Sequence, residues 1–228
     1  MKKAIVLLSG GLDSTVTLAY ALSEGREVIP VSFRYGQRHS RELEAAKAVT
    51  SHYGLKHHVV IDLDLSAYRK SALTSKDVKV PKRGSVSEIK EGIPSTYVPA
   101  RNIIFLSIAA GVAETEGADE IFIGANSIDY SGYPDCRPEF FEAFEEALRK
   151  GTKAGVEGKA VRVVHPILRM TKAEIVLLGK ELGAPLNLTW SCYEGGSMAC
   201  GRCDSCLLRL KGFEEAGFKD EIEYEVVR

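Results

Sequence analysis

The sequence predicts an α/β protein, a doubly wound parallel sheet followed by a small C-terminal metal-binding element. Three observations carry this expectation. Strand-like and helix-like segments alternate through the first third of the chain, a glycine-rich turn joins the first strand to the first helix, and four of the five cysteines crowd into one C-terminal stretch. Strand–helix–strand alternation pairs strands in parallel, and ligands of such sheets sit beyond the carboxyl ends of the strands. At 228 residues the chain suits one such domain with an appendage. We divide it at 1–189 and 190–228.

Lys3–Leu8 is an apolar run and the first strand. It enters Ser9-Gly10-Gly11-Leu12-Asp13-Ser14, and Val16, Ala19 and Tyr20 then recur at helical spacing. Gly10 and Gly11 remove side chains where the backbone must curl, so that consecutive N–H groups can face an anion. Ser9 and Ser14 add hydroxyls, and the helix points its positive end into the ring, which suits nucleotide phosphates. No G-x-x-x-x-G-K-[ST] pattern is present, so this is not a Walker A loop. Glu27–Phe33 reads as the second strand, although Pro30 argues against simple ladder pairing at its position. A helix with Leu43, Ala46 and Val49 follows, then a third strand over His57–Leu63.

Residues 66–97 lack a clean period and carry Lys76, Lys79, Lys82, Arg83 and Lys90. They read as a long excursion: a lid, an oligomer contact or a solvated loop. An apolar helix runs from Asn102 to Glu116, with Ile104, Ile108 and Val112 suggesting burial on more than one side. Glu120–Gly124 is a fourth strand, Phe140–Lys150 a helix and Val161–Val164 a fifth strand. Thr171-Lys172-Ala173-Glu174 has capping-box spacing and opens a helix with Ile175, Leu178 and Leu182 on one face.

Hydrophobic residues make up 45% of the chain and charged residues 27%, a globular balance, and a net charge of −1 argues against a nucleic-acid-binding surface. Met1–Leu8 imitates a secretion signal, but its apolar core is too short and no cleavage site follows. No apolar run is long enough to span a bilayer. The expectation is a cytoplasmic protein without nucleic-acid or membrane partners.

Cys192, Cys200, Cys203 and Cys206 form C-x7-C-x2-C-x2-C. Such clustering points to a metal rather than to a secreted disulfide framework. Four sulfurs with no open position fit structural Zn²⁺, and closely spaced cysteines also occur in iron–sulfur proteins. Two further stretches carry chemistry. In Tyr97-Val98-Pro99-Ala100-Arg101-Asn102, Pro99 stiffens the approach to a helix start, where Arg101 can pair with phosphate or carboxylate. The stretch from Gly124 to Arg137 begins where the fourth strand ends. Its Asn126, Asp129, Asp135 and Arg137 supply donors, acceptors and both charge signs, and Tyr130 and Tyr133 supply flat faces, a set suited to a planar heterocycle. Cys136 has no evident base partner and reads as a packing residue.

SGGLDS at 9–14 resembles the pyrophosphate loop of the N-type ATP pyrophosphatases. In one order with YVPARN at 97–102, GANSIDYSGYPDCRPEF at 124–140, HPI at 165–167 and the cysteine group, it makes nearly the whole chain resemble the 7-cyano-7-deazaguanine synthase family. The one departure is Ala100, where a glycine is expected. The resemblance implies an adenine-nucleotide α-hydrolase-like (Rossmann-like) fold and an ATP-dependent ligase of the queuosine pathway. In that reaction a deazapurine carboxylate is adenylated, ammonia displaces AMP, and a second activation dehydrates the amide to a nitrile. It implies ATP binding by Leu8, Ser9, Gly10, Gly11, Leu12, Asp13, Ser14, Thr15, Val16, Thr17 and Leu18, with Mg²⁺ accompanying ATP and Asp13 as a candidate ligand. Asp13, Arg101 and Lys172 are the implied catalytic residues. Asn126, Asp129, Tyr130, Asp135 and Arg137 are the implied substrate readers, and the four cysteines the zinc ligands. A homodimer is expected. Two other readings stand beside it: an adenylating relative acting on tRNA or another carboxylate, and a zinc-ribbon binding module on a nucleotide-sensing domain.

Overall fold

The computed structural model describes residues 2–65, 67–90, 92–128 and 133–225. Five parallel strands form one sheet in the order β3-β2-β1-β4-β5: β1 (Lys3–Leu7), β2 (Glu27–Arg34), β3 (Val59–Asp62), β4 (Glu120–Phe122) and β5 (Arg162–Val164). The chain winds outward from β1 to β3 and then restarts on the other side of β1, which leaves a switch point between β1 and β4.

Alternation along β1 splits the core. Ile5 and Leu7 face one side, where they join Ile121, Leu106 and Phe141 from β4, α3 (Arg101–Glu116) and α4 (Pro138–Gly151). Ala4, Val6 and Leu8 face the other, packing on Leu18 of α1 (Leu12–Ser23) and on Ala46 and Val49 of α2 (Arg41–His52). A short α5 (Lys153–Val156) follows α4. The predicted capping box is present: Thr171 Oγ1 accepts from the Glu174 N–H, and the Glu174 carboxylate accepts from the Thr171 N–H, opening α6 (Lys172–Glu181). Ile175 and Val176 of α6 meet Val16 of α1 and Phe213 of α7 (Asp204–Glu215) in a third cluster.

Three expectations resolve differently. Pro30 pairs in register with Val6 inside the sheet. The carbonyl of its neighbour Val31 accepts from the Leu8 N–H (2.8 Å), so the polar groups of Val31 face β1 and those of Pro30 face the β3 side. The β3 ladder begins only at Val31 opposite Val59, so the missing N–H falls where no partner is needed. The excursion after β3 packs on the cysteine cluster through Ala72 and Val80. Its Arg83 Nε donates to Asp204 Oδ1 (2.6 Å), and its Arg83 N–H to the Arg202 carbonyl (2.8 Å). Ile104, Ile108 and Val112 are only partly buried, while Leu106, Ala109, Ala110 and Ala113 form the buried face of α3. No helix among the described residues is long and apolar enough to cross a membrane.

Candidate functional site

The carboxyl ends of β1, β2 and β4 open into a cavity of about 280 Å³. The turn after β1 forms its floor. Ser9 N–H and Oγ meet Ser14 Oγ at 3.2 and 3.0 Å, Ser14 Oγ donates to the Gly11 carbonyl (3.1 Å), and the Gly11 N–H donates to Ser9 Oγ (3.2 Å). Gly10 has φ +86°, and a Cβ there would lie 2.1 Å from the Glu42 carbonyl oxygen, so no other residue fits. A Cβ on Gly124 would lie 2.9 Å from the Asp13 and Ser14 backbone, which lets the end of β4 abut the first turn of α1. The Trp190 N–H donates to the Gly10 carbonyl (2.8 Å), bracing the turn from the C-terminal segment. Leu8, Ser9, Gly11, Leu12, Asp13 and Ser14 line the cavity. Gly10 is turned against α2, and Thr15, Val16, Thr17 and Leu18 are fully buried behind it.

The structure brings Asp13, Arg101, Asn126 and Lys172 to the same cavity. Lys172, the first residue of α6, places Nζ 2.8 Å from both carboxylate oxygens of Asp13. Arg101, the first residue of α3, is half-buried. Burial opposes its charge, but Tyr35, Tyr133, Cys136 and Asp135 around it more than restore it. Among the described residues no carboxylate lies within salt-bridge distance of its guanidinium. Asn126 Nδ2 donates to the Ile167 and Met170 carbonyls, and its Oδ1 accepts from the Ile128 N–H (3.1 Å). That side chain therefore ties the end of β4 to the segment before α6.

Asp135 is buried and faces α3: its Oδ2 accepts the Asn102 N–H (3.0 Å), and its carbonyl accepts from Asn102 Nδ2 (3.1 Å). It thus satisfies an open N–H at the start of the helix that carries Arg101. Arg137 is exposed and lies outside the cavity lining. Asp129 and Tyr130 lie outside the described residues. Cys136 is buried, accepts from Asn102 Nδ2 (3.3 Å), and has its thiol pushed up to about 12 by burial, so it stays protonated at neutral pH.

Phe33, Tyr35, Glu42 and Phe105 are among the cavity residues that escaped the sequence reading. Phe33 stacks on Phe105 with centroids 4.1 Å apart and rings 8° from parallel, and Tyr35 meets Phe105 edge-on at 5.3 Å. Burial raises the Tyr35 phenol to about 12. The available signal was positional. The run from Arg34 to His39 follows the carboxyl end of a parallel strand, the same rule that singled out the stretch after the fourth strand.

The sulfur atoms of Cys192, Cys200, Cys203 and Cys206, all buried, lie within 4.8 Å of one another. A regular tetrahedron with metal–sulfur bonds of about 2.3 Å needs sulfurs about 3.8 Å apart, so the cluster can close on a single ion. Backbone N–H groups point at the sulfurs: Cys200 N to Cys192 Sγ (3.3 Å) and Cys203 N to Cys200 Sγ (3.3 Å), contacts that favour thiolate. Hydrogen bonding with Cys192 lowers the Cys200 thiol and raises the Cys206 thiol, as expected of four thiols too close to ionise together without a cation.

The sequence profile of the family described as queuosine biosynthesis protein QueC matches residues 3–217. The chain is 58% identical over 224 residues to the 7-cyano-7-deazaguanine synthase of Thermoplasma acidophilum, covering 98% of this chain and 92% of that protein. It is 56% identical to the 7-cyano-7-deazaguanine synthase of Acetivibrio thermocellus, covering 98% of each. Among solved structures, a 4-thiouridine synthetase in an RNA complex with bound ATP superposes with a TM-score of 0.51 at 21% identity, over 98% of this chain and 47% of that one, a likeness of fold. With phosphate loop, arginine-bearing helix start and four-cysteine cluster all inside the matched span, the chain belongs to the QueC family of queuosine biosynthesis proteins.

Proposed function

We propose that this chain is an ATP-dependent ligase that converts 7-carboxy-7-deazaguanine and ammonia into 7-cyano-7-deazaguanine through adenylated intermediates. The observation that carries the reading is one cavity with a phosphate-type loop at its floor and, on its walls, a half-buried arginine that forms no ion pair among the described residues, together with stacked aromatic rings. A carboxylate is a poor electrophile, so its oxygen must become a leaving group while phosphate charge is neutralised. The serine-glycine ring and the α1 N-terminus hold the pyrophosphate. Asp13 would hold the Mg²⁺ that accompanies ATP, and Lys172 beside it would neutralise phosphate charge. Arg101 holds the substrate carboxylate or the acyl phosphate formed from it. Phe33 and Phe105 offer apolar faces to a flat heterocycle, and Asn126 and Asp135 keep the two segments beside it in place.

Residues 190–228 form a zinc-binding element in this reading. The closed all-thiolate set favours Zn²⁺, which supplies structure rather than reactivity because no coordination position is left open. The proposed assembly is a cytoplasmic homodimer. The test is mass spectrometry of the products after the protein is mixed with ATP, Mg²⁺, ammonium and 7-carboxy-7-deazaguanine. The expected products are the nitrile, AMP and pyrophosphate, and Asp13→Ala is expected to lower turnover at least a hundredfold. ATP consumption only with a different acceptor would overturn the substrate.

A further inference from the structure

Among the described residues two acidic ones line the cavity, Asp13 and Glu42. Asp13 is neutralised by Lys172, which reaches both its oxygens at 2.8 Å. The Glu42 carboxyl makes no hydrogen bond or ion pair among the described residues. Its backbone packs directly under the phosphate loop, where the Glu42 carbonyl excludes any side chain at Gly10. On the reading that the enzyme consumes ammonia, this cavity must admit ammonium, the prevailing form at neutral pH, and must remove a proton before the nitrogen can attack.

We propose that the Glu42 carboxylate is the ammonium site of this enzyme and the base that turns bound ammonium into the attacking ammonia. A desolvated cation needs an anion in the cavity, and Glu42 is the carboxylate there that forms no ion pair with a lysine or arginine among the described residues. Charges are laid out to match the reaction. The anionic acyl phosphate faces Arg101, and the cationic nucleophile faces Glu42. In the step itself the carboxylate takes one proton from ammonium, and the nitrogen lone pair forms the C–N bond to the acyl carbon. The C–O bond to AMP breaks with its electron pair on oxygen, and a second nitrogen-bound proton leaves with the AMP phosphate. Glu42 then returns its proton to solvent. No oxidant or further co-reactant is needed.

The setting of the carboxyl supports this role. Burial pushes it up to about 7, against a smaller pull from Arg101, so it exchanges a proton near neutral pH. Arg101 of α3 and Tyr35 of the segment after β2 face it, with Asp13 and Lys172 lining the same cavity from α1 and α6.

The experiment compares wild type, Glu42→Gln and Glu42→Asp by three readouts. Carboxylate-dependent exchange of pyrophosphate into ATP, which needs no ammonia, is expected within about threefold of wild type in all three proteins. Amide formation at fixed total ammonium is expected to fall at least a hundredfold in Glu42→Gln at pH 7, with partial recovery in Glu42→Asp. Raising the pH should separate them further: wild type levels off above pH 7, whereas Glu42→Gln keeps gaining about tenfold per pH unit as free ammonia accumulates. Glu42→Gln should melt no lower than wild type at pH 8, because a carboxyl raised by the fold to about 7 costs stability as pH climbs from its ordinary value to that point, and the loss is complete at pH 8. Loss of exchange together with amide formation, a raised KM for the deazapurine at unchanged kcat, or a pH profile parallel to wild type would each overturn the proposal. A wild-type protein that forms no nitrile overturns the proposed function instead, and this inference with it.

Discussion

Ala100 adopts φ 56° and ψ 21°, a positive φ that no other non-glycine residue shares among the described residues. Left-handed backbone costs an alanine about 1–2 kcal/mol because Cβ crowds the following carbonyl. Its position explains why the strain is kept: it is the residue before α3, and the turn delivers Arg101 into the cavity. The surroundings hold it, with the Ala100 N–H donating to Tyr97 Oη (3.2 Å) and its carbonyl accepting from the Ile104 N–H (3.0 Å). The family resemblance led us to expect glycine here, and a positive φ is the backbone that glycine adopts without strain. Ala100→Gly should relieve the strain at a smaller cost in unfolded-chain entropy, a net gain of up to about 1 kcal/mol. In a calorimeter that is a melting temperature about 1–3 °C higher; a lower one would show that the turn is not strained. At this same scale the family resemblance singled out Arg101 and Lys172, and Asp13 was legible as part of a local motif. Glu42 was not, because an acidic residue in the first turn of a helix usually faces solvent.

The segment between α6 and α7 is held by a buried ion pair. Arg209 Nε and Nη2 donate to the two oxygens of Asp220 at 2.6 and 2.9 Å, and both side chains are 2% exposed. The same guanidinium donates to Thr189 Oγ1 (2.6 Å) and to the Leu186 carbonyl (3.1 Å), so it pins the stretch that carries Trp190. Removing one partner leaves the other charge buried and uncompensated, which costs about 3–5 kcal/mol. Urea denaturation of Asp220→Ala should show a loss of that size, and a loss below about 1 kcal/mol would mean that water replaces the carboxylate. Elements were legible where their pattern was local. The alternation of strands and the Thr171–Glu174 spacing each name their own structure. The excursion after β3 has no pattern because its order is borrowed: Ala72, Val80 and Arg83 take their places from the cysteine cluster and α7.

Across the whole molecule, the metal element and the phosphate loop are one mechanical unit. Trp190 donates its N–H to Gly10 and its Nε1 to the Cys192 carbonyl (2.9 Å), while the Arg41 guanidinium lies 4.7 Å from its ring. Losing the metal should therefore loosen the loop as well as the cluster. Chelation is expected to weaken ATP binding at least tenfold, about 1.4 kcal/mol, and to shift the emission of the single tryptophan. Unchanged ATP affinity after stoichiometric metal removal would show the two to be independent.

The succession of strands and helices, the loop and the four-cysteine set can be read from the chain because each depends on neighbours within a few residues, through period, turn chemistry and ligand spacing. The cavity cannot be read that way. It needs α2 to lie under Gly10, β4 to abut α1 through Gly124, and the C-terminal segment to brace the loop through Trp190. Those contacts join residues more than thirty positions apart. Packing selects them, because the sheet must be covered on both faces and the ends of its strands closed over, and no local propensity encodes which side chain then faces the empty space.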